Sequence, residues 1–155
     1  MTYIFVDFEG FKIWFEVDKE GTALRQVTIE ESSGIIEVSC LGPFLADQYV
    51  DTQNDCETIT REQFESVWQE ATAVEREKWH EEKLKYVPGM AIQVTIQYFY
   101  PQGTICRMGD RLFCANIKTT YLHGVSLGTG ANILGTITGY DEPNMWILLD
   151  NCQNA

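Results

Sequence analysis

The sequence predicts an α+β protein in two β-rich modules. Residues 1–84 read as an antiparallel β-meander packed by one helix, and residues 85–155 as a five-stranded barrel. Two observations carry that reading. Apolar and polar residues alternate with period two through the first forty residues and again from Met90 onward, as strands with one buried face require. Between these stretches lies a single segment with apolar residues at helical spacing behind a capping signal.

The elements follow in order. Tyr3 to Phe8 and Lys12 to Val17 alternate, with Ile13, Phe15 and Val17 sharing one face. Asp18-Lys19-Glu20-Gly21 is a turn that leads into Leu24 to Ile29. Ser32-Ser33-Gly34 turns the chain again into Ile35 to Val38. Residues 41–58 have no period and contain Gly42, Pro43, Asp51, Asn54 and Asp55, so they read as an irregular crossing.

Thr60-Arg61-Glu62-Gln63 has the form of a capping box, and Phe64, Val67, Trp68, Ala71 and Val74 follow as an apolar stripe. Beyond Val74 the residues are charged on nearly every side, apart from Trp79, which predicts a solvated helical connector. Tyr86-Val87-Pro88-Gly89 ends it. Met90, Ile92, Val94, Ile96 and Tyr98 then form one strand face. Thr104 to Met108, Arg111 to Ile117, Asn132 to Tyr140 and Met145 to Leu149 complete five strands.

Five strands with a long link between the third and fourth predict an OB-type barrel. Gly89, Pro101, Gly103, Gly109 and Asp110, followed by Gly130, Ile133, Ile137 and Asp141, fall at the spacing of one OB family. On these residues the stretch 87–150 resembles an S1 domain, and that resemblance implies a barrel of RNA-binding ancestry. The family's base-stacking aromatics flank its P-x-G glycine, where this chain has Gln102 and Ile105. The family's histidine is also missing, with Leu112-Phe113-Cys114-Ala115 in that region. The first half loosely resembles an uncharacterised bacterial domain family of no settled activity. The shared residues are Trp14 to Asp18, Leu24 to Val27 and Thr60 to Trp68 with Glu65.

Composition narrows the function classes. The chain has 155 residues, 45% hydrophobic and 22% charged, within the range of an ordinary globular chain. Its net charge of −12 lies entirely in residues 1–84, which hold 19 of the 23 carboxylates and 7 of the 11 Lys and Arg. Such a surface repels phosphate backbones and attracts basic partners. The five cysteines (Cys40, Cys56, Cys106, Cys114 and Cys152) are odd in number and form no C-x-x-C, so neither a zinc pattern nor a disulfide framework is expected. Cys106 and Cys114 lie symmetrically about Gly109-Asp110 and are expected to face each other across a hairpin as thiols. Met1-Thr2-Tyr3 lacks the features of a signal peptide, and no apolar run is long enough for a bilayer, so the expectation is a cytoplasmic protein without a membrane partner.

No catalytic constellation, cofactor or metal site stands out. His80 with Glu81 and Glu82 imitates part of a zinc-protease helix, but the second histidine would fall at Leu84. The glycine-rich stretch Gly124 to Gly130 precedes a strand and has no Lys-Ser/Thr ending, so it is not read as a phosphate loop. Cys114 and His123 are a nucleophile pair by residue type alone, with no orienting third group. Asp7 and Glu9 are expected to share a strand face if the first strand reaches that far.

Two readings remain. The leading one is a non-enzymatic binding protein whose acidic first module docks a basic protein, in the manner of an immunity protein that neutralises a nucleic-acid-handling enzyme. Its candidate contacts are Asp7, Glu9, Trp14, Glu16 and Trp79. The alternative is RNA or single-stranded nucleic-acid binding by the barrel through Tyr98, Phe99, Tyr100, Arg107, Arg111 and Lys118. The partner's identity and the oligomeric state are left open by the sequence.

Overall fold

The computed structural model describes residues 1–116, 121–122 and 125–155 and has mixed α+β structure. The chain divides into two compact units, Met1–Glu75 and Arg76–Ala155.

The first unit is built on a five-stranded sheet ordered β4-β3-β2-β1-β5. The meander β1 (Thr2–Phe8), β2 (Phe11–Val17), β3 (Ala23–Glu30) and β4 (Ile36–Val38) is as the alternation predicts. The fifth strand, β5 (Glu57–Ile59), was expected as irregular chain and pairs antiparallel with Tyr3 to Phe5 of β1. Pairing register sorts the side chains onto two faces. Tyr3, Glu16 and Arg25 lie side by side on one face, as do Phe5, Trp14 and Val27. Helix α1 (Arg61–Lys85) covers part of that face with Phe64 and Trp68, both fully buried. Each such burial contributes on the order of 2–3 kcal/mol. The opposite face carries Ile4, Phe15 and Val17, covered by Leu45, Ala46, Val50 and Cys56 from the irregular crossing. The capping box forms as the sequence indicates: Gln63 N donates to Thr60 Oγ1 at 3.1 Å, and Thr60 N donates to Gln63 Oε1 at 2.8 Å.

The second unit contains a closed barrel ordered β11-β12-β8-β7-β6. Its strands are β6 (Ala91–Tyr100), β7 (Gly103–Met108), β8 (Arg111–Ala115), β11 (Asn132–Asp141) and β12 (Trp146–Asn154). All neighbours are antiparallel except β12 and β8, which run parallel. Two short paired strands, β9 (Tyr121–Leu122) and β10 (Val125–Ser126), lie in the link between β8 and β11. Ile92, Val94, Ile96, Phe113, Ile133, Ile137, Ile147 and Leu149 are buried. Gly103 is required by a close approach: a Cβ there would lie 2.4 Å from the Ala115 carbonyl oxygen.

Three expectations are corrected here. A bulge between Ile96 and Tyr98 shifts the register of β6, so the alternation that grouped Tyr98 with Ile96 does not continue across it. In the β7–β8 hairpin Cys106 pairs with Phe113 and Cys114 with Ile105, one step from the symmetric facing expected. The last part of α1 is not a solvated connector either. Trp79 is fully buried, and its Nε1 donates to Glu142 Oε2 at 2.7 Å. Lys83 Nζ donates to Glu142 Oε1 at 2.8 Å, and the Tyr140 hydroxyl donates to the backbone oxygens of Lys83 and Tyr86. These bonds fasten residues from Arg76 onward to the β11–β12 turn. The division into two compact units falls after Glu75. Among the described residues no helix is long and apolar enough to cross a membrane.

Candidate functional site

The first unit has a groove of about 540 Å³ between α1 and the sheet. Phe5 and Trp14 form its floor; they are directly paired across β1 and β2, with ring centroids 5.0 Å apart. Ile59 and Val67 add apolar surface, and Glu57 and Glu62 place carboxylates at its edge. The local sequence explains each placement. Cross-strand aromatic pairs stabilise a hairpin, and the capping box sets the start of α1, which brings Glu62 and Val67 over the floor. Trp14 is half-buried in the groove, while Glu57 and Glu62 are exposed.

Beside the groove lies a buried ion cluster. Arg25 Nε donates to Glu16 Oε2 at 2.6 Å and Nη2 donates to Glu65 Oε1 at 2.5 Å. The guanidinium also lies over the Phe64 and Trp68 rings, 4.9 and 5.0 Å from their centroids. Burial alone would lower the Arg25 pKa, but the hydrogen bonds and charges of Glu16 and Glu65 outweigh it and raise the pKa. The Tyr3 hydroxyl donates to Glu16 Oε1 at 3.1 Å; burial, and then the Glu16 charge, push its pKa up.

Of the sequence-predicted partner contacts, only Trp14 lies in the groove. Asp7 is exposed near the end of β1. Glu9 does not share its strand face, because β1 ends at Phe8 and Glu9 sits in the following turn with φ 49°. Glu16 is engaged by Arg25 and Tyr3, and Trp79 is enclosed in the second unit, so both leave the set of free contacts. The groove residues Phe5, Glu57, Ile59, Glu62 and Val67 were not identified from the sequence. The pairing of Phe5 with Trp14 depends on a β1–β2 register that the alternation does not specify, and a three-residue strand inside an irregular segment leaves no period to detect.

The barrel candidates divide. Phe99 is 46% exposed, Tyr98 is half-buried, and Tyr100 is buried with its ring 6.0 Å from Trp146. Arg107 lines a polar groove of about 410 Å³ on the barrel wall with Gln93, Thr95, Gln97 and Asn132. Arg111 is buried: it lies 5.3 Å from the Trp79 ring centroid, its Nη1 donates to Met145 O at 3.3 Å, and its Nε is 3.5 Å from Glu82 Oε2. It is therefore not available for a phosphate. Lys118 and His123 lie outside the described residues. Burial pushes the thiols of Cys106 and Cys114 up to about 12, with the neighbouring Cys152 and Cys114 adding to the first and Asp141 to the second. A thiol so placed is protonated at neutral pH and is a poor nucleophile. Among the described residues no group of three or more His, Cys, Asp and Glu is placed to hold a metal ion.

No protein-family model matches the chain, and no curated protein matches it in sequence.

Proposed function

We propose that this is a non-enzymatic binding protein whose acidic first unit docks a basic protein partner. The observation that carries the reading is the groove, where an aromatic floor of Phe5 and Trp14 sits beside the carboxylates of Glu57 and Glu62. Apolar anchors ringed by charge are the common form of an interaction hot spot. The wider field agrees with it. Residues 1–75 hold 16 of the 23 carboxylates and 4 of the 11 cations, and so carry the whole net charge of −12. One of those four cations, Arg25, is buried between two glutamates and contributes little to the outer surface. A basic nuclease neutralised by such a surface fits this chemistry. The test is calorimetric titration with a panel of basic proteins, nucleases included, at low and moderate salt. Binding that weakens with salt, and weakens further in Trp14→Ala and in Glu57→Lys/Glu62→Lys, supports the reading. Binding indifferent to salt and to both variants removes it.

A second reading places single-stranded nucleic acid on the barrel. The order β6-β7-β8-β12-β11, closing on β6 with β8 and β12 parallel, supports an S1-like OB-type barrel. Exposed Phe99 and the polar groove at Arg107 favour binding there. Against it, Ile105, Leu112 and Cys114 on the β7–β8 wall, where OB folds bind their ligands, are buried. Anisotropy of labelled single-stranded RNA at low and moderate salt tests it. Phe99→Ala is expected to cost about 1–3 kcal/mol of any binding, and no binding at low salt excludes it.

A further inference from the structure

The groove borders a sheet edge that the described residues leave open. β5 pairs with β1 only as far as Glu57 opposite Phe5, whereas β1 runs on to Phe8. The reason is local. Asp55 takes a left-handed backbone with φ 54°, and Cys56 packs into the core on the opposite sheet face. The left-handed Asp55 is where the incoming chain departs from the extended geometry of a strand. Among the described residues no strand pairs with Val6, Asp7 or Phe8 on the side away from β2. Phe8 is 60% exposed at the end of this edge.

Resting on the docking reading above, we infer that the edge Val6–Phe8 receives an extended segment of the basic partner by strand addition. Its main chain continues the line of β5, with an apolar side chain against Phe5 and Trp14. Its Lys or Arg side chains meet Asp7, Glu57 and Glu62. The register supports this geometry, since Asp7 and Phe5 project to the sheet face that forms the groove floor. Main-chain hydrogen bonds give such additions their affinity, and side-chain pockets give them specificity. Charge selects the occupant. Asp7 on the edge itself and a unit of net charge −12 oppose pairing with a second copy of this chain, the usual hazard of an open edge. The same charges attract a cationic strand.

The experiment uses the full chain, labelled with ¹⁵N, and an eight-residue peptide that alternates Lys and Val. Its control is the same peptide with every backbone amide N-methylated, which keeps charge and side chains but donates no main-chain hydrogen bond. Strand addition predicts that the unmethylated peptide binds at least tenfold more tightly. It also predicts at least tenfold slower hydrogen exchange at those amides of Val6 to Phe8 that point away from β2. Trp14→Ala weakens this binding, and Asp7→Lys weakens it more at low salt than at high salt. Equal binding of the two peptides, or binding with unchanged exchange at Val6 to Phe8, overturns strand addition while leaving acidic docking intact. Absence of salt-sensitive binding by either peptide and by every basic protein overturns both.

Discussion

Arg25 offers the sharpest energetic test of the first unit. It is 5% exposed, and its guanidinium makes four hydrogen bonds: two to Glu16 at 2.6 and 3.2 Å and two to Glu65 at 2.5 and 3.2 Å. Arg25→Met keeps much of the packing against Phe64 and Trp68 but strands both carboxylates. The two are not equally exposed. Glu65 has 28% of its side chain accessible and Arg61 at 4.0 Å, so water and a second cation relieve it. Glu16 has 13% accessible and keeps only the Tyr3 hydroxyl among the bonds described above. Breaking a buried pair by removing one partner costs about 3–5 kcal/mol, and the relief at Glu65 places this case near the lower end, about 3 kcal/mol. Urea unfolding followed by circular dichroism measures it. With a slope of about 1–2 kcal/mol/M, the midpoint falls by about 1.5–3 M. Because the cost lies in a stranded charge, Glu16→Gln added to Arg25→Met is expected to restore part of the loss. A loss below about 1 kcal/mol, or no restoration, refutes the argument.

Three further outcomes are expected. Gly103→Ala forces a methyl to within 2.4 Å of the Ala115 carbonyl oxygen and lowers barrel stability by about 1–3 kcal/mol, read as a lowered melting temperature. In the native protein a thiol reagent modifies half-buried Cys56 and Cys152 first, while buried Cys40, Cys106 and Cys114 react only on unfolding, as mass spectrometry of the labelled peptides shows. For Glu142, burial alone would raise the pKa, but the Lys83 and Trp79 hydrogen bonds and the Lys83 charge hold it below the ordinary value of 4.5. A depressed carboxylate stabilises the fold above its unfolded pKa and loses that contribution as pH falls through the folded one. Glu142→Gln therefore flattens the fall in melting temperature below about pH 4.5, where the wild type drops.

The sequence made the strands of both units legible because each has one face against a core and one against solvent. The β1–β2 register rests on one local feature that the alternation does not mark: a two-residue turn at Glu9-Gly10, where both residues take positive φ, sets Phe5 opposite Trp14. What escaped were features that depend on partners far along the chain. β5 is held by three residues of β1 and has no period of its own. The helix stripe does not end at Val74, which is 71% exposed, but passes through Thr72 to Trp79. A search for apolar residues lost it because its continuation is polar: Thr72 Oγ1 donates to Trp68 O, and Lys83 is anchored on Glu142. A buried polar group such as the Trp79 N–H, satisfied by Glu142 across 63 residues of sequence, cannot be told from a solvated one by spacing alone.

Sequence-level arguments treat every carboxylate of an acidic module as surface, yet Glu16 and Glu65 are consumed by Arg25, and Glu82 and Glu142 by contacts within the second unit. Those ion pairs support the fold and contribute little to an outward field. The carboxylates left exposed around the groove, Glu57 and Glu62, flank the aromatic pair, and Asp7 stands on the adjoining open edge. Desolvation favours such a combination: an apolar side chain buried on Phe5 and Trp14 supplies the affinity, while exposed carboxylates attract a cation without being taken fully out of water. Salt should therefore slow association with a basic partner much more than it speeds dissociation, and Trp14→Ala should do the reverse. Stopped-flow measurement of the two rates separates these contributions, because a purely electrostatic surface would leave the dissociation rate of Trp14→Ala unchanged.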